Sequence, residues 1–491
     1  MIVMKFGGSS LESAEAIRRV CGIVHTHLRS HPVVVVSALG KTTDRLVEMA
    51  REAAKGRGFE ARKLLNEVQD THFGIAGELL SKQRVEEVEK SFRNAFRELF
   101  GVIHDLSEDG RALTAEFSDY VVSFGERLSS ELVAAALPEA GVPAAHLDAR
   151  QMILTDNHFG AATPLLWETY ARVRRAIAQT DSGVVAVLGG FIAATEDGST
   201  TTLGRGGSDL TASLVGAALS VDEIQIWTDV DGILTCDPRV YGGGHRLRQI
   251  SYAEASTMAG AGAKVLHPDS VRPAVRQQIP LVIRNSRRPQ CEGTRIVPAV
   301  APSGNRVKGI AVIQNLLLMA IRRPDVGDSS APGALQEFLK RKSVGAAFIK
   351  RTDGLVYIGF PNTCLLREIE MEMNGCVQGQ VMMNYSVITL VGAGLGNERG
   401  VAERAVSAVK GMNPIVFPGD EGDNSIGLAI PQRQTRRACM LLHREFFSHV
   451  DVRLFAAAAV EMVTDVVVED ALVSYAMRKT RMLARVNVFA R

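Results

Sequence analysis

Two stretches of this chain combine residues suited to holding an anion. From Thr200 to Thr211 the order is Thr-Thr-Thr-Leu-Gly-Arg-Gly-Gly-Ser-Asp-Leu-Thr, with three glycines in four positions around Arg205. Glycine lets backbone N–H groups approach a ligand with no Cβ between, and the first turn of the alanine-rich helix that follows adds unsatisfied N–H groups and a positive dipole end. Arg205 can grip a carboxylate or phosphate bidentately. Alone, the stretch reads better as a surface turn with Ser208 as helix N-cap. A second such stretch, Lys5-Phe6-Gly7-Gly8-Ser9-Ser10, lies at the N-terminus, and neither matches the usual nucleotide fingerprints.

The elements that must carry these loops follow from the pattern. Ile2 to Phe6 reads as a buried strand ending in the Gly7-Gly8 turn, and Ser9 with Glu12 reads as a capping box opening a helix with Ala14, Ile17, Val20, Val24 and Leu28 on one face. Lys5 therefore falls at a strand's carboxyl end, where open α/β sheets bind ligands. Pro32 to Val36, with four valines, is a second strand, and Ser37 and the Gly40-Lys41-Thr42-Thr43-Asp44 loop place hydroxyls and a lysine at its carboxyl end. Residues 45 to 117 read as mostly helical, with a solvated charged face from Lys82 to Glu98. Tyr120-Val121-Val122 precedes a helix from about Ser123 to Leu137, which puts Glu126 in a first turn where the dipole favours a carboxylate.

Further strands are expected at Val184 to Leu188, Glu223 to Trp227 and Pro280 to Asn285. The strand before Thr228 runs into Asp229-Val230-Asp231-Gly232, then a polar turn with Asp237 and Arg239. Lys264 follows the glycine-broken helix from Ser251. Strands alternating with helices call for a mostly parallel sheet sandwiched by helices over residues 1–297.

Past Pro298 the pattern changes. Val300 to Asn305 reads as a linker, and two units follow, at 306–380 and 381–450, each an apolar strand, a glycine-containing turn and a helix: Val307 to Ile321 with Gly333 to Lys342, and Tyr385 to Val391 with Gly400 to Gly411. That is a tandem repeat. Gly392 to Asn397 imitates a dinucleotide loop but lacks its third glycine and a complete βαβ unit. Residues 451–491 are a C-terminal extension that stands apart or completes the second-region fold.

Composition narrows the function classes. Of 491 residues 46% are hydrophobic and 22% charged, which is ordinary for a globular protein with several domains. A formal charge of +2 with no basic block argues against nucleic acid. Six scattered cysteines without a C-x-x-C pair suggest reduced thiols and no zinc site. The longest apolar run, Gly183 to Ala194, is too short to span a membrane, so a cytoplasmic location without membrane contact is expected.

The chain resembles the aspartate kinases of the amino-acid kinase family. Lys5 to Ser10, Phe124-Gly125-Glu126, Thr200 to Asp209, Trp227 to Gly232 and Lys264-Val265-Leu266-His267-Pro268 match in type, order and approximate spacing. The region after 297 resembles that family's paired ACT domains of βαββαβ pattern, most clearly at Gly400-Val401-Ala402 and Leu441 to Phe447.

The resemblance implies ATP and Mg²⁺ as cofactors, L-aspartate as acceptor, 4-phospho-L-aspartate as product, a place at the entry to aspartate-derived amino acids such as lysine and threonine, and a homodimer or higher homo-oligomer formed through the ACT domains. By motif position, Lys5, Asp209 and Lys264 are the catalytic set, with Asp209 organising the two lysines. Lys5, Gly7, Gly8, Ser9, Thr228, Asp229, Asp231, Gly232, Asp237, Arg239 and Lys264 face the nucleotide. Ser37, Thr43, Glu126 and Arg205 face the acceptor, with Glu126 on its α-ammonium and Arg205 on its α-carboxylate.

A carboxylate acceptor is already a nucleophile, so such a site needs positioning and charge neutralisation, not a general base. The glycines, lysines, threonines and aspartates supply that. Two departures matter: Leu234 replaces a usual tyrosine, and Arg322 to Pro332 with Gly422 to Ile426 only loosely echo the family's effector site, which predicts weak or no response to lysine and threonine. A kinase for another acidic amino acid, such as glutamate or N-acetylglutamate, and a catalytically idle amino-acid-binding homologue are the alternatives.

Overall fold

Runs of β-branched residues build the central sheet. The computed structural model describes residues 1–109, 112–263, 266–322, 348–352, 355–361, 379–417, 419 and 422–456, all within one unit, Met1–Ala456. Its strands begin with β1 (Ile2–Phe6), β2 (Pro32–Val36), β3 (Ala144–Leu147), β4 (Val185–Gly189), β5 (Ile192–Ala194), β6 (Thr200–Thr202), β7 (Glu223–Thr228), β8 (Arg246–Leu247), β9 (Gln249–Ser251), β10 (Leu281–Asn285) and β11 (Thr294–Val297). Between them lie helices α1 (Ala14–Thr26), α2 (Thr42–Ala54), α3 (Gly58–Leu79), α4 (Lys82–Asp109), α5 (Ala115–Ala136), α6 (Ala149–Met152), α7 (Leu166–Ala178), α8 (Gly207–Leu219), α9 (Tyr252–Gly260) and α10 (Arg272–Arg276).

Eight strands form the main sheet in the order β3-β4-β2-β1-β7-β10-β11-β9, parallel except where β11 meets β10. Alternate residues feed two cores. Val3, Val35, Ile224 and Ile226 face one side with α8, whereas Met4, Phe6, Val34 and Trp227 face the other with α1 to α5. Burial on both faces is why these strands read as unbroken apolar runs. The connection from β1 leads to β2 on one side, and that from β7 leads towards β10 on the other, so the carboxyl ends of β1 and β7 form a topological switch point.

Three local expectations are corrected. Ser9 and Glu12 do not cap α1: Gly8–Ser10 forms a 3-10 turn, Ser13 accepts from Ala16 N at 3.2 Å as the cap, and Glu12 pairs instead with Arg287 at 3.0 Å. Glu126 is not in a first turn, because α5 starts at Ala115, capped by Thr114, and Tyr120 to Val122 belong to the helix. Their burial pattern fits a helix packed on both sides as well as a strand. Ser208 lies inside α8, whose start is set by Gly206 in the left-handed region at φ 75°.

Beyond the linker, β12 (Gly309–Arg322), β13 (Phe348–Thr352), β14 (Leu355–Pro361), β15 (Gly379–Val391), β16 (Ile415–Phe417) and β17 (Ser425–Pro431) form one antiparallel sheet, ordered β13-β14-β12-β15-β17-β16. The order is symmetric about the long β12–β15 pair, so the repeat is visible in the topology. Helices α11 (Arg399–Ala408) and α12 (Thr435–Phe447) accompany the second half. The helix expected at 333–342 lies outside the described residues, as do 457–491. Strand β18 (Phe455–Ala456) pairs with β8 of the first region. Among the described residues no helix is long and apolar enough to cross a membrane.

Candidate active site

Lys5 sits on the β1 face that looks towards α8. Its Nζ lies 2.7 Å from Asp209 Oδ1, with the two side chains only 12% and 16% exposed. The bare Gly7 turn lies directly beyond: a Cβ there would come 3.8 Å from Lys5 Nζ, and Gly7 N–H donates to Trp227 O at 3.0 Å across the β1–β7 boundary. A Cβ on Gly8 would approach the carbonyls of Ala38 and Gly40 within 3.0 Å. Glycine at 8 thus lets the loops after β1 and β2 close on one another. Ser9 completes the 3-10 turn, half-buried.

On the β2 side, Ser37 Oγ donates to Ser208 Oγ at 3.0 Å, which ties the carboxyl end of β2 to the first turn of α8. Glu126, 3% exposed, reaches the same corner from mid-α5, and its Oε1 accepts from Ala38 N at 3.0 Å. Its Oε2 is buried without a hydrogen-bond partner. Burial pushes the Glu126 carboxyl up to about 8, opposed by the Ala38 N–H and by the Lys5 charge. Two glycines make room for it. A Cβ on Gly189 would meet Glu126 Cβ at 3.1 Å, and one on Gly125 would meet Ala38 Cβ at 2.8 Å. Thr43 is half-buried in the first turn of α2. Arg205 is exposed, and among the described residues no carboxylate pairs with it. Its loop is braced from below by buried Asp119, which accepts from Gly160 N and Thr202 N, each at 2.8 Å, and from Thr202 Oγ1 at 2.7 Å.

On the β7 side, Thr228 O accepts from Ser286 N at 2.8 Å and Ser286 Oγ at 3.1 Å, while Ser10 Oγ donates to Ser286 Oγ at 2.8 Å. The Gly7 turn, β7 and β10 are thereby joined. Asp229 is exposed; Asp231 is held by Asn285 Nδ2 at 2.8 Å and by Arg288. Gly232 has φ 129°, and a Cβ there would press on Thr294 N at 2.9 Å. Asp237 and Arg239 form an ion pair on the following loop, with Arg239 Nε 3.0 Å from Asp237 Oδ1, which pushes the guanidinium up. Lys264 lies outside the described residues.

Lys5 and its turn therefore stand between two groups: Ser37, Thr43, Glu126 and Ser208 on one side, and Thr228, Asp229 and Asp231 on the other. The sequence reading missed Ser208 as a partner of Ser37, and the bracing roles of Asp119, Asn285 and Ser286. Gly189-Gly190 after a valine strand was the available signal for the first of these. Asp119 offered none.

Comparison with known proteins shows the family of the chain. The model of the amino acid kinase family matches residues 1–285, more than half of the chain. The chain belongs to the amino acid kinase family. Within it, the similarity is to aspartokinases. Aspartokinase 1, chloroplastic, of Arabidopsis thaliana is 30% identical over 470 residues, covering 92% of this chain and 81% of that protein. Aspartokinase 2, chloroplastic, of the same plant is 36% identical over 326 residues, or 65% of this chain, and the chain spans 58% of that relative's length. Among solved structures, E. coli aspartokinase III in complex with aspartate and ADP is 28% identical, with a TM-score of 0.75, covering 91% of this chain and all of that one. This family member thus shares its similarity across both regions.

Proposed function

We propose that this aspartokinase-family chain transfers the γ-phosphoryl group of ATP to the side-chain carboxylate of L-aspartate. The carboxylate oxygen bonds to the γ-phosphorus, the bond from that phosphorus to the bridging oxygen breaks, and ADP leaves with the electron pair, so no general base is required. The observation that carries the reading is the unpartnered Glu126 Oε2, buried on the Ser37 side of Lys5. A buried carboxylate oxygen without a partner calls for a cation, and the α-ammonium of a free amino acid would supply one.

In this reading Arg205 takes the α-carboxylate, and Ser37 and Thr43 orient the acceptor. Lys5, Gly7, Gly8 and Ser9 stabilise the transferring group, Asp209 fixes Lys5, and Thr228, Asp229, Asp231, Gly232, Asp237 and Arg239 face the nucleotide. Lys264 joins them by motif position alone. Mg²⁺ accompanying ATP would be held mainly through its phosphate oxygens. When bound, it offsets phosphate charge.

A homodimer through the six-stranded sheet is the proposed assembly; exposed Ile349 and Met383 on β13 and β15 fit a contact surface there. A weak or absent response to lysine and threonine belongs to the same proposal. Comparing L-aspartate, L-glutamate and N-acetyl-L-glutamate by ADP release tests the acceptor. Turnover with aspartate alone is expected; turnover with the acetylated compound would refute the role of Glu126.

A further inference from the structure

The loop that carries Asp237 and Arg239 is closed at its base by Thr235 and His245. Thr235 N–H donates to His245 O at 2.8 Å, and His245 N–H donates to Thr235 Oγ1 at 2.8 Å. The same hydroxyl lies 2.9 Å from His443 Nε2, on α12 of the second region. Thr235 is fully buried and His443 is 4% exposed. In the neutral tautomer protonated at Nδ1, Nε2 accepts the Thr235 proton while the Thr235 oxygen accepts the His245 N–H, so one hydroxyl serves both partners.

The His443 ring is fixed on three sides. Phe447 stacks at 4.7 Å, Tyr241 lies at 4.9 Å and His245 stacks at 5.5 Å, centroid to centroid. Two of those neighbours, Tyr241 and His245, belong to the loop itself. The second region grips the base at another point too, where Ile310 N on β12 donates to Thr235 O at 2.6 Å. By contrast, Asp237 and Arg239 at the tip are partly exposed and pair with each other.

We propose that His443 is a positioning residue for nucleotide binding: through Thr235 it fixes the base of the 235–245 loop, and so the place of Asp237 and Arg239. The inference rests on the nucleotide role given above to those two residues. Ser37, Glu126 and Asp209 are held by Ser208, the Ala38 N–H and Lys5, all outside this loop, which sets the acceptor side apart from it.

The test is ADP affinity by titration calorimetry on the full chain, together with KM for ATP and for aspartate, in wild type, His443→Ala, His443→Gln and Thr235→Ser. Removing a buried partner from a hydroxyl is expected to weaken ADP binding and raise KM for ATP about tenfold in His443→Ala, with KM for aspartate unchanged. His443→Gln keeps a polar atom at this place and Thr235→Ser keeps the hydroxyl, so both are expected within about threefold of wild type. Loss of thermal stability with ADP affinity unchanged, or equal rises in both KM values, would overturn the proposal and leave His443 a packing residue. A wild type that binds ADP yet phosphorylates no aspartate would sink the proposed reaction instead, and the calorimetric comparison would still decide this one.

Discussion

Lys5 Nζ and Asp209 Oδ1 meet at 2.7 Å where the end of β1 faces the first turn of α8, so the ammonium is aimed by a carboxylate beside a turn without side chains. In the proposed reaction a lysine so held would neutralise charge where it develops, with little reorganisation at the moment of transfer. Lys5→Ala is expected to lower kcat by about 10²- to 10³-fold while ADP affinity changes by less than about tenfold. Single-turnover kinetics beside nucleotide titration separates the two effects. Unchanged turnover would remove Lys5 from the mechanism.

In the proposed reaction Glu126 makes aspartate binding pH-dependent. With its carboxyl near 8 in the free protein, aspartate must bind to the minority ionised form at neutral pH. The kcat/KM for aspartate should therefore rise with pH and level off above about 8, whereas kcat, governed by the complex in which an ammonium has restored the ionised state, should stay flatter. Stability runs the other way. The folded, ligand-free protein keeps the Glu126 proton where the unfolded chain has lost it, so this contribution is present below the unfolded value and fades as pH climbs through about 8. Glu126→Gln should raise the Tm of the ligand-free protein at pH 8 by removing a cost of a few kcal/mol, and should abolish tight aspartate binding. Melting curves at several pH values, with and without aspartate, read both.

Gly190 brings the β4 end against α8: a Cβ there would lie 2.7 Å from Ser208 Cα. Gly190→Ala should push the first turn of α8 away from Lys5, with loss of about 1–3 kcal/mol and a larger loss of activity. Gly22, exposed in α1 with open space around it, is the control; Gly22→Ala should add about 0.5–1 kcal/mol and leave activity alone. Denaturant titration and turnover of the two variants check the contrast.

How much of this was legible beforehand depended on the kind of signal. β2 was read to its exact ends because a strand buried on both faces has no polar interruption. Glu126 was assigned its role by motif but misplaced in its helix, since Tyr120 to Val122 carry no local preference strong enough to tell a buried strand from a buried helix. The Ser9–Glu12 box failed because a 3-10 turn itself consumes residues 8 to 10, and the cap moves to Ser13. Asp119 and the pairing of Ser208 with Ser37 were not legible: Thr202 lies 83 residues from Asp119 and Ser37 lies 171 from Ser208, and only the folded sheet brings them together.

His72 gives an acid limit to stability. It is fully buried between α3 and α4 against Phe92 and Phe96, its Nδ1–H donates to Val68 O at 2.7 Å, and its Nε2 has no partner. Burial pushes the imidazole down to about 4. The unfolded chain takes up a proton below about 6.5 that the fold refuses, so this contribution is intact above 6.5 and is lost as pH falls towards 4, by up to about 3 kcal/mol. His72→Leu should flatten the acid side of the stability curve measured by chemical denaturation. An identical acid profile in the variant would assign the loss to other groups.

In the proposed reaction a free aspartate side chain receives the phosphoryl group at Lys5. Its most direct test is an ATP- and Mg²⁺-dependent trap of the acyl phosphate with hydroxylamine, run with L-aspartate and L-glutamate on wild type and Glu126→Gln. Hydroxamate from aspartate with wild type, little from glutamate and little from the variant is the predicted result. Hydroxamate from neither amino acid, by a protein shown to bind ATP, would contradict it.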